Sequence, residues 1–178
     1  GIGPESTVDY YRSLLHKLRE RGRAEPPGIV IHSIDLARFL ALVASGNREA
    51  LIEHLTEAIG VLARAGAEMG LFAANTPHIV FEEVRRRSPI ELVSIVETTA
   101  DAAQAKGFRR LGLLGTRFTM EGSFYPEAFS RRGMMVIAPQ AADREFVHQR
   151  YLSELVAGRF LPGTRAGFLA GMGRVRER

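Results

Sequence analysis

Short apolar runs and stretches with helical periodicity alternate along this chain, and that alternation restricts its fold more than any other feature. Tyr10, Leu14, Leu15 and Leu18 recur at helical spacing and predict a helix over residues 7–21, with Ser6 or Thr7 as its cap. The polar, Pro-containing loop RGRAEPPG follows, then a strand at 29–33. A helix over 48–65 starts after Ser45-Gly46-Asn47 and stops at Gly66. Beyond it come a strand near 69–73, a helix over 78–87, a strand near 91–95 and a helix over 97–106 with its stop at Gly107. LGLLGT, residues 111–116, reads as a buried parallel-type strand. A short helix over 124–131, a strand at 134–137 and a helix over 142–157 complete the series. Strands that alternate with helices predict an α/β fold with parallel sheets covered by helices on both faces. In such folds ligands sit beyond the carboxyl ends of the strands.

Length and composition set the outer limits. The 178 residues fit one ordinary domain, or one domain and part of another. A hydrophobic fraction of 46% beside 25% charged residues argues against disorder. The longest candidate membrane run, 36–44, is short and broken by Arg38, and there is no signal-peptide pattern, so a cytoplasmic protein is expected. The net charge of +4 sits largely in arginine clusters at 85–87, 109–110, 131–132 and 174/176/178. No aromatic stripe interleaves them, so they read as solvated faces and not as a nucleic-acid surface. Cysteine is absent, which excludes disulfides, thiolate metal sites and a cysteine nucleophile within these residues. Residue 1 is glycine, the first methionine is Met69, and RAGFLAGMGRVRER stops inside a helical pattern. A preceding strand and a following strand or two are therefore expected outside the sequence.

The strand-end segment Ala74-Asn75-Thr76-Pro77-His78 raises the functional question. A strand-to-helix turn gathers exposed backbone N–H groups that favour an anion. Asn, Thr and Pro also suit such a turn on structural grounds. His16, His54 and His148 lie in helical segments at no metal-like spacing and read as surface or half-buried, so no metal site is expected. No P-loop or dinucleotide fingerprint occurs.

Four stretches in register, GIGPESTVDYYR, HSIDL, LFAANTPHIV and LGLLGTRFTMEGSFY, resemble the aspartate/glutamate racemase family over nearly the whole chain. The resemblance implies two pseudo-symmetric α/β domains facing each other across a cleft. Here they would be residues 1–97, lacking the first strand, and 98–178, an incomplete second domain. It also implies inversion of aspartate, glutamate or a related amino acid without a cofactor. Two cysteines on opposite faces of the α-carbon would remove and return the proton, which inversion requires. In the family the first cysteine directly precedes an Asn-Thr pair, and Ala74 occupies that place. The second belongs to a Gly-Cys-Thr-Glu-like motif that the chain does not reach by Arg178.

By the same resemblance, Asn75 and Thr76 would bind a substrate carboxylate, Thr116 and Thr119 would line the cleft, and Gly3 and Thr7 would border it. Ser33 is a further cleft candidate, with a turn or capping role equally open. His78 is either a proton donor or a first-turn helix residue, and Arg117 either meets a second carboxylate or is simply exposed. The expected partner is a small amino acid or dicarboxylate, with no nucleic acid and no membrane; a homodimer is left open. Two other functions fit the residues: a single-cysteine decarboxylase or isomerase, and a carboxylate-binding pseudoenzyme or inactive product.

Overall fold

The structure, a computed structural model, describes residues 1–23 and 27–177. Most of RGRAEPPG is thus described, but its residues 24–26 lie outside, as does Arg178 of the last basic cluster. The chain divides into two compact units, Gly1–Ile95 and Val96–Arg178. Both carry short parallel strands among helices.

In the first unit the order is α1 (Pro4–Glu20), α2 (Leu36–Ser45), α3 (Arg48–Arg64), β1 (Met69–Leu71), a 3-10 turn (Thr76–Val80), α4 (Phe81–Arg87) and β2 (Glu91–Val93). β1 and β2 pair in parallel, Met69 opposite Glu91 and Leu71 opposite Val93. Helix α3 explains the core: Leu51, Ile52, Leu55, Ala58 and Ile59 fall on one stripe and are buried. Leu51, Ile52, Leu55 and Ile59 pack with Phe39 of α2, Phe72 after β1, and Val80, Phe81 and Val84 of the turn and α4.

Three expectations need correction here. Residues 29–33 do not form a strand. Gly1 donates its N–H to the His32 carbonyl at 2.6 Å and accepts from Ile34 N–H at 3.0 Å, two ladder-type bonds that flank Ser33. The apolar run at 36–44, judged too short and broken for a membrane span and given no element from sequence, is helix α2. Asp35 caps it through Ala37 N–H and Arg38 N–H at 2.7 and 3.0 Å, and Gly46 stops it at φ +69°. Helix α1 begins at Pro4, earlier than expected, because proline is preorganised for a first turn. Ser6 and Thr7 therefore sit inside it, and their hydroxyls donate to the Gly3 carbonyl and do not cap N–H groups.

The second unit runs from α5 (Ile95–Ala105) through β3 (Arg110–Gly112), α6 (Arg117–Glu121), α7 (Phe124–Ser130), β4 (Met135–Ile137) and α8 (Ala141–Ser153) to α9 (Pro162–Arg176). β3 and β4 pair in parallel, Arg110 opposite Met135 and Gly112 opposite Ile137. LGLLGT was expected to be a fully buried strand. Its ladder ends at Gly112, and Leu111, Leu113 and Leu114 are only half-buried, since β4 is the only strand paired with β3 among the described residues. The turn after it is the short helix α6, which the sequence reading did not anticipate. Among the described residues no helix is long and apolar enough to cross a membrane.

Candidate functional site

The first group of candidate residues lies where β1 ends. Phe72 and Ala73 are buried, Ala74 is half-buried against the core, Asn75 is exposed, and Thr76, Pro77 and His78 are buried. The 3-10 turn starts at Thr76 without a side-chain cap, and His78 N–H donates to the Asn75 carbonyl at 3.0 Å. The same carbonyl lies 3.1 Å from His78 Nδ1, so a protonated Nδ1 donates to it. The His78 ring stacks on Phe81 at 4.7 Å between centroids and meets Phe72 edge-on. That packing makes His78 a part of the turn's foundation, as a first-turn residue would be.

The N-terminus of α1 supports this turn. Ser6 Oγ lies 2.9 Å from the Ala73 carbonyl and 3.0 Å from the Gly3 carbonyl. Thr7 Oγ1 donates to Gly3 at 2.8 Å. A side chain at residue 1 would collide with Thr7, since a Cβ there would come within 2.6 Å of Thr7 Cγ2, so glycine suits that approach. Ser33 is exposed on the segment that brackets Gly1. Ser6 is the residue in this group that the sequence reading assigned only to capping. Its visible signal is the Ser6-Thr7 pair, one residue after GIGP.

The second group, in the other unit, is the turn after β3. Thr116 caps α6: its Oγ1 accepts from Thr119 N–H at 3.3 Å and lies 3.1 Å from Thr119 Oγ1. Both threonines are buried. Arg117 points outward, 3.8 Å from Glu145 and over the Phe118 ring, which fits the plain exposed reading. Its backbone N–H donates to His148 Nδ1 at 3.2 Å. His148 is 6% exposed, against the expectation of a surface or half-buried residue, and Phe118 packs edge-on to it. Burial pushes the His148 pKa below its ordinary value; Arg117 pushes the same way, while Glu145 and Glu121 oppose. No group of three or more His, Cys, Asp or Glu among the described residues could hold a metal ion.

The fold and the sequence are similar to those of known proteins. A Yersinia pestis protein, whose crystal structure carries the provisional description Asp/Glu racemase, superposes with a TM-score of 0.85 at 30% identity, over 99% of this chain and 78% of that one. An aspartate racemase homologue from Pyrococcus horikoshii OT3 gives 0.72 at 35% identity, over 88% of this chain and 69% of that one. The glutamate racemase of Aquifex aeolicus (strain VF5) is 28% identical over 126 residues, 70% of this chain and 48% of the relative. The chain thus spans about half the length of that curated relative. The sequence profile of the Asp/Glu/Hydantoin racemases matches residues 1–178, and the chain belongs to that family.

Proposed function

We propose that the chain binds an acidic amino acid or a related dicarboxylate at the turn following β1, and that the family's inversion chemistry is disabled there. The observation that carries this reading is Ala74, a methyl side chain at the head of an otherwise intact Asn75-Thr76-Pro77 strand-end turn. By the family resemblance a thiolate at that place would take the α-proton, as a base whose pKa its surroundings can tune. Alanine leaves the turn's shape and removes the base. Asn75 and Thr76 are the proposed carboxylate contacts, with Gly3, Thr7 and Ser33 of the same unit as further substrate contacts by their match to the family motifs; by the same match Thr116 and Thr119 are proposed substrate contacts of the other unit. The parent reaction is cofactor-independent inversion of aspartate, glutamate or a related amino acid. With no cysteine in the 178 residues, carboxylate binding is favoured over one-thiol decarboxylation or isomerisation for the chain itself.

The test is Ala74→Cys followed by alkylation with iodoacetamide. A thiol beside bound substrate should be shielded, so L- or D-aspartate should slow alkylation in a saturable way, and Asn75→Ala should abolish the shielding. A thiol indifferent to both amino acids would mean that residue 74 only packs at the base of the turn.

A further inference from the structure

The α6 cap contains a contact that the family motifs do not predict. Thr116 holds its own first turn through Thr119, but the N–H of Arg117 reaches across 31 residues to the buried ring of His148 on α8. An N–H donating to Nδ1 requires that nitrogen to be unprotonated, so the neutral ring carries its proton on Nε2. We propose that His148 is the positioning residue of the Thr116–Thr119 turn, holding it only while its ring is neutral. The link to ligand rests on the reading of Thr116 and Thr119 as substrate contacts.

The mechanism is a change of donor into acceptor's place. Protonated Nδ1 becomes a donor facing another donor, so the bond to Arg117 is lost and two N–H groups oppose each other. The added charge would also sit at the start of α6, where helix N–H groups already carry partial positive charge. The charged groups around the ring do not rescue it. From α6 come Arg117 and Glu121, and from α8 itself Glu145; Arg144 pairs with Glu121 at 3.1 Å. From α9, Arg174 is engaged with Asp143, and in the last turn of α8 Arg150 is engaged with Glu154. Burial and Arg117 keep the ring neutral at ordinary pH, so the turn is set there and released in acid.

The experiment measures the hydrogen-exchange protection of the Arg117 amide between about pH 5 and pH 8, corrected for intrinsic exchange, with the affinity for L-aspartate measured alongside. Three proteins are compared: the unmodified chain, His148→Asn, which keeps an acceptor that cannot titrate in this range, and His148→Leu, which keeps bulk without an acceptor. In the unmodified chain, protection should fall in acid with a midpoint below about 6.5. In His148→Asn it should stay level. In His148→Leu it should be about tenfold lower throughout, the effect of losing one hydrogen bond, and aspartate affinity should follow. If His148→Leu does not fold, the asparagine variant and the unmodified chain still decide the matter. Arg117 protection that stays level through acid in the unmodified chain overturns the proposal, as does a neutral ring found with its proton on Nδ1. If protection follows His148 but the unmodified chain binds no aspartate, the ligand reading of the threonines fails while His148 stands as the holder of the turn.

Discussion

Ser6 has one hydroxyl proton and two carbonyl oxygens within reach, those of Gly3 and Ala73. The bond to Ala73 ties the first turn of α1 to the residue just before Ala74, across 67 positions of sequence. Thr7, one residue on, has the same local partner in Gly3 without that long reach. Ser6→Ala should therefore cost about 1 kcal/mol in urea unfolding, with an unchanged m-value, and should also weaken aspartate binding. Thr7→Ala should cost a comparable amount and, Thr7 being a proposed substrate contact, should weaken binding directly. Aspartate binding left unchanged by Ser6→Ala would show that the Ala73 contact does not hold the site. The contrast also marks what was legible at this scale. Ala74, Asn75, Thr76, Thr116 and Thr119 stand in contiguous motifs and could be named from sequence. The roles of Ser6 at Ala73 and of His148 at Arg117 are made by contacts across 67 and 31 residues, and no local pattern carries them.

Among the elements, periodicity located α3, α5 and α7 well because each has an apolar stripe and a clear start or stop, whereas the helix expected over 142–157 ends at Ser153 and a 3-10 turn follows at Leu155–Ala157. Helix α2 corresponds to no element expected from sequence, although its caps Asp35 and Gly46 bracket it. The strand expected at 29–33 is not formed, although its β-branched residues fit a pleat and Gly1 bonds to the residues on either side of Ser33. Two element-scale measurements follow. Thr116→Ala should cost about 1 kcal/mol by uncapping α6, whereas Thr116→Ser should keep most of the cap, both read by denaturant unfolding. The second concerns the junction of α8 and α9. Buried Glu154 accepts from Thr164 in the first turn of α9 and from Arg150 at 2.5 Å. The Thr164 bond first, then Arg150, hold its carboxyl below the ordinary carboxylate range. A depressed carboxylate stabilises the fold above its unfolded pKa, and that stability is lost as pH falls through the folded value. Amides at the start of α9 should lose protection in that acid range, and Glu154→Gln should remove the pH dependence. An acid response unchanged in Glu154→Gln would place its origin elsewhere.

For the molecule as a whole, the charges and the missing thiols narrow the chemistry. Several arginine clusters answer to acids within their own unit: Arg87 to Glu49 at 2.6 Å, Arg132 to Asp101 at 2.6 Å, and Arg174 to Asp143 at 2.5 Å. Such exposed pairs add little stability, but they balance much of the positive charge locally, which is poor preparation for binding a polyanion. A small anion at a strand end is the better match. Inversion of such a substrate needs a base on one face of the α-carbon and an acid on the other, and no thiol in the 178 residues can serve as either. Incubated with L- or D-aspartate in deuterated water, the chain should therefore exchange the α-proton no faster than buffer. Ala74→Cys restores one face only. It should raise exchange with one enantiomer without producing the other, because a single base that returns its proton to the same face retains configuration. NMR loss of the α-proton signal, followed by chiral chromatography, separates exchange from inversion. Exchange above buffer in the unmodified chain, abolished by Asn75→Ala, would show that a non-thiol base works at this site and would end the reading of Ala74 as a disabled position.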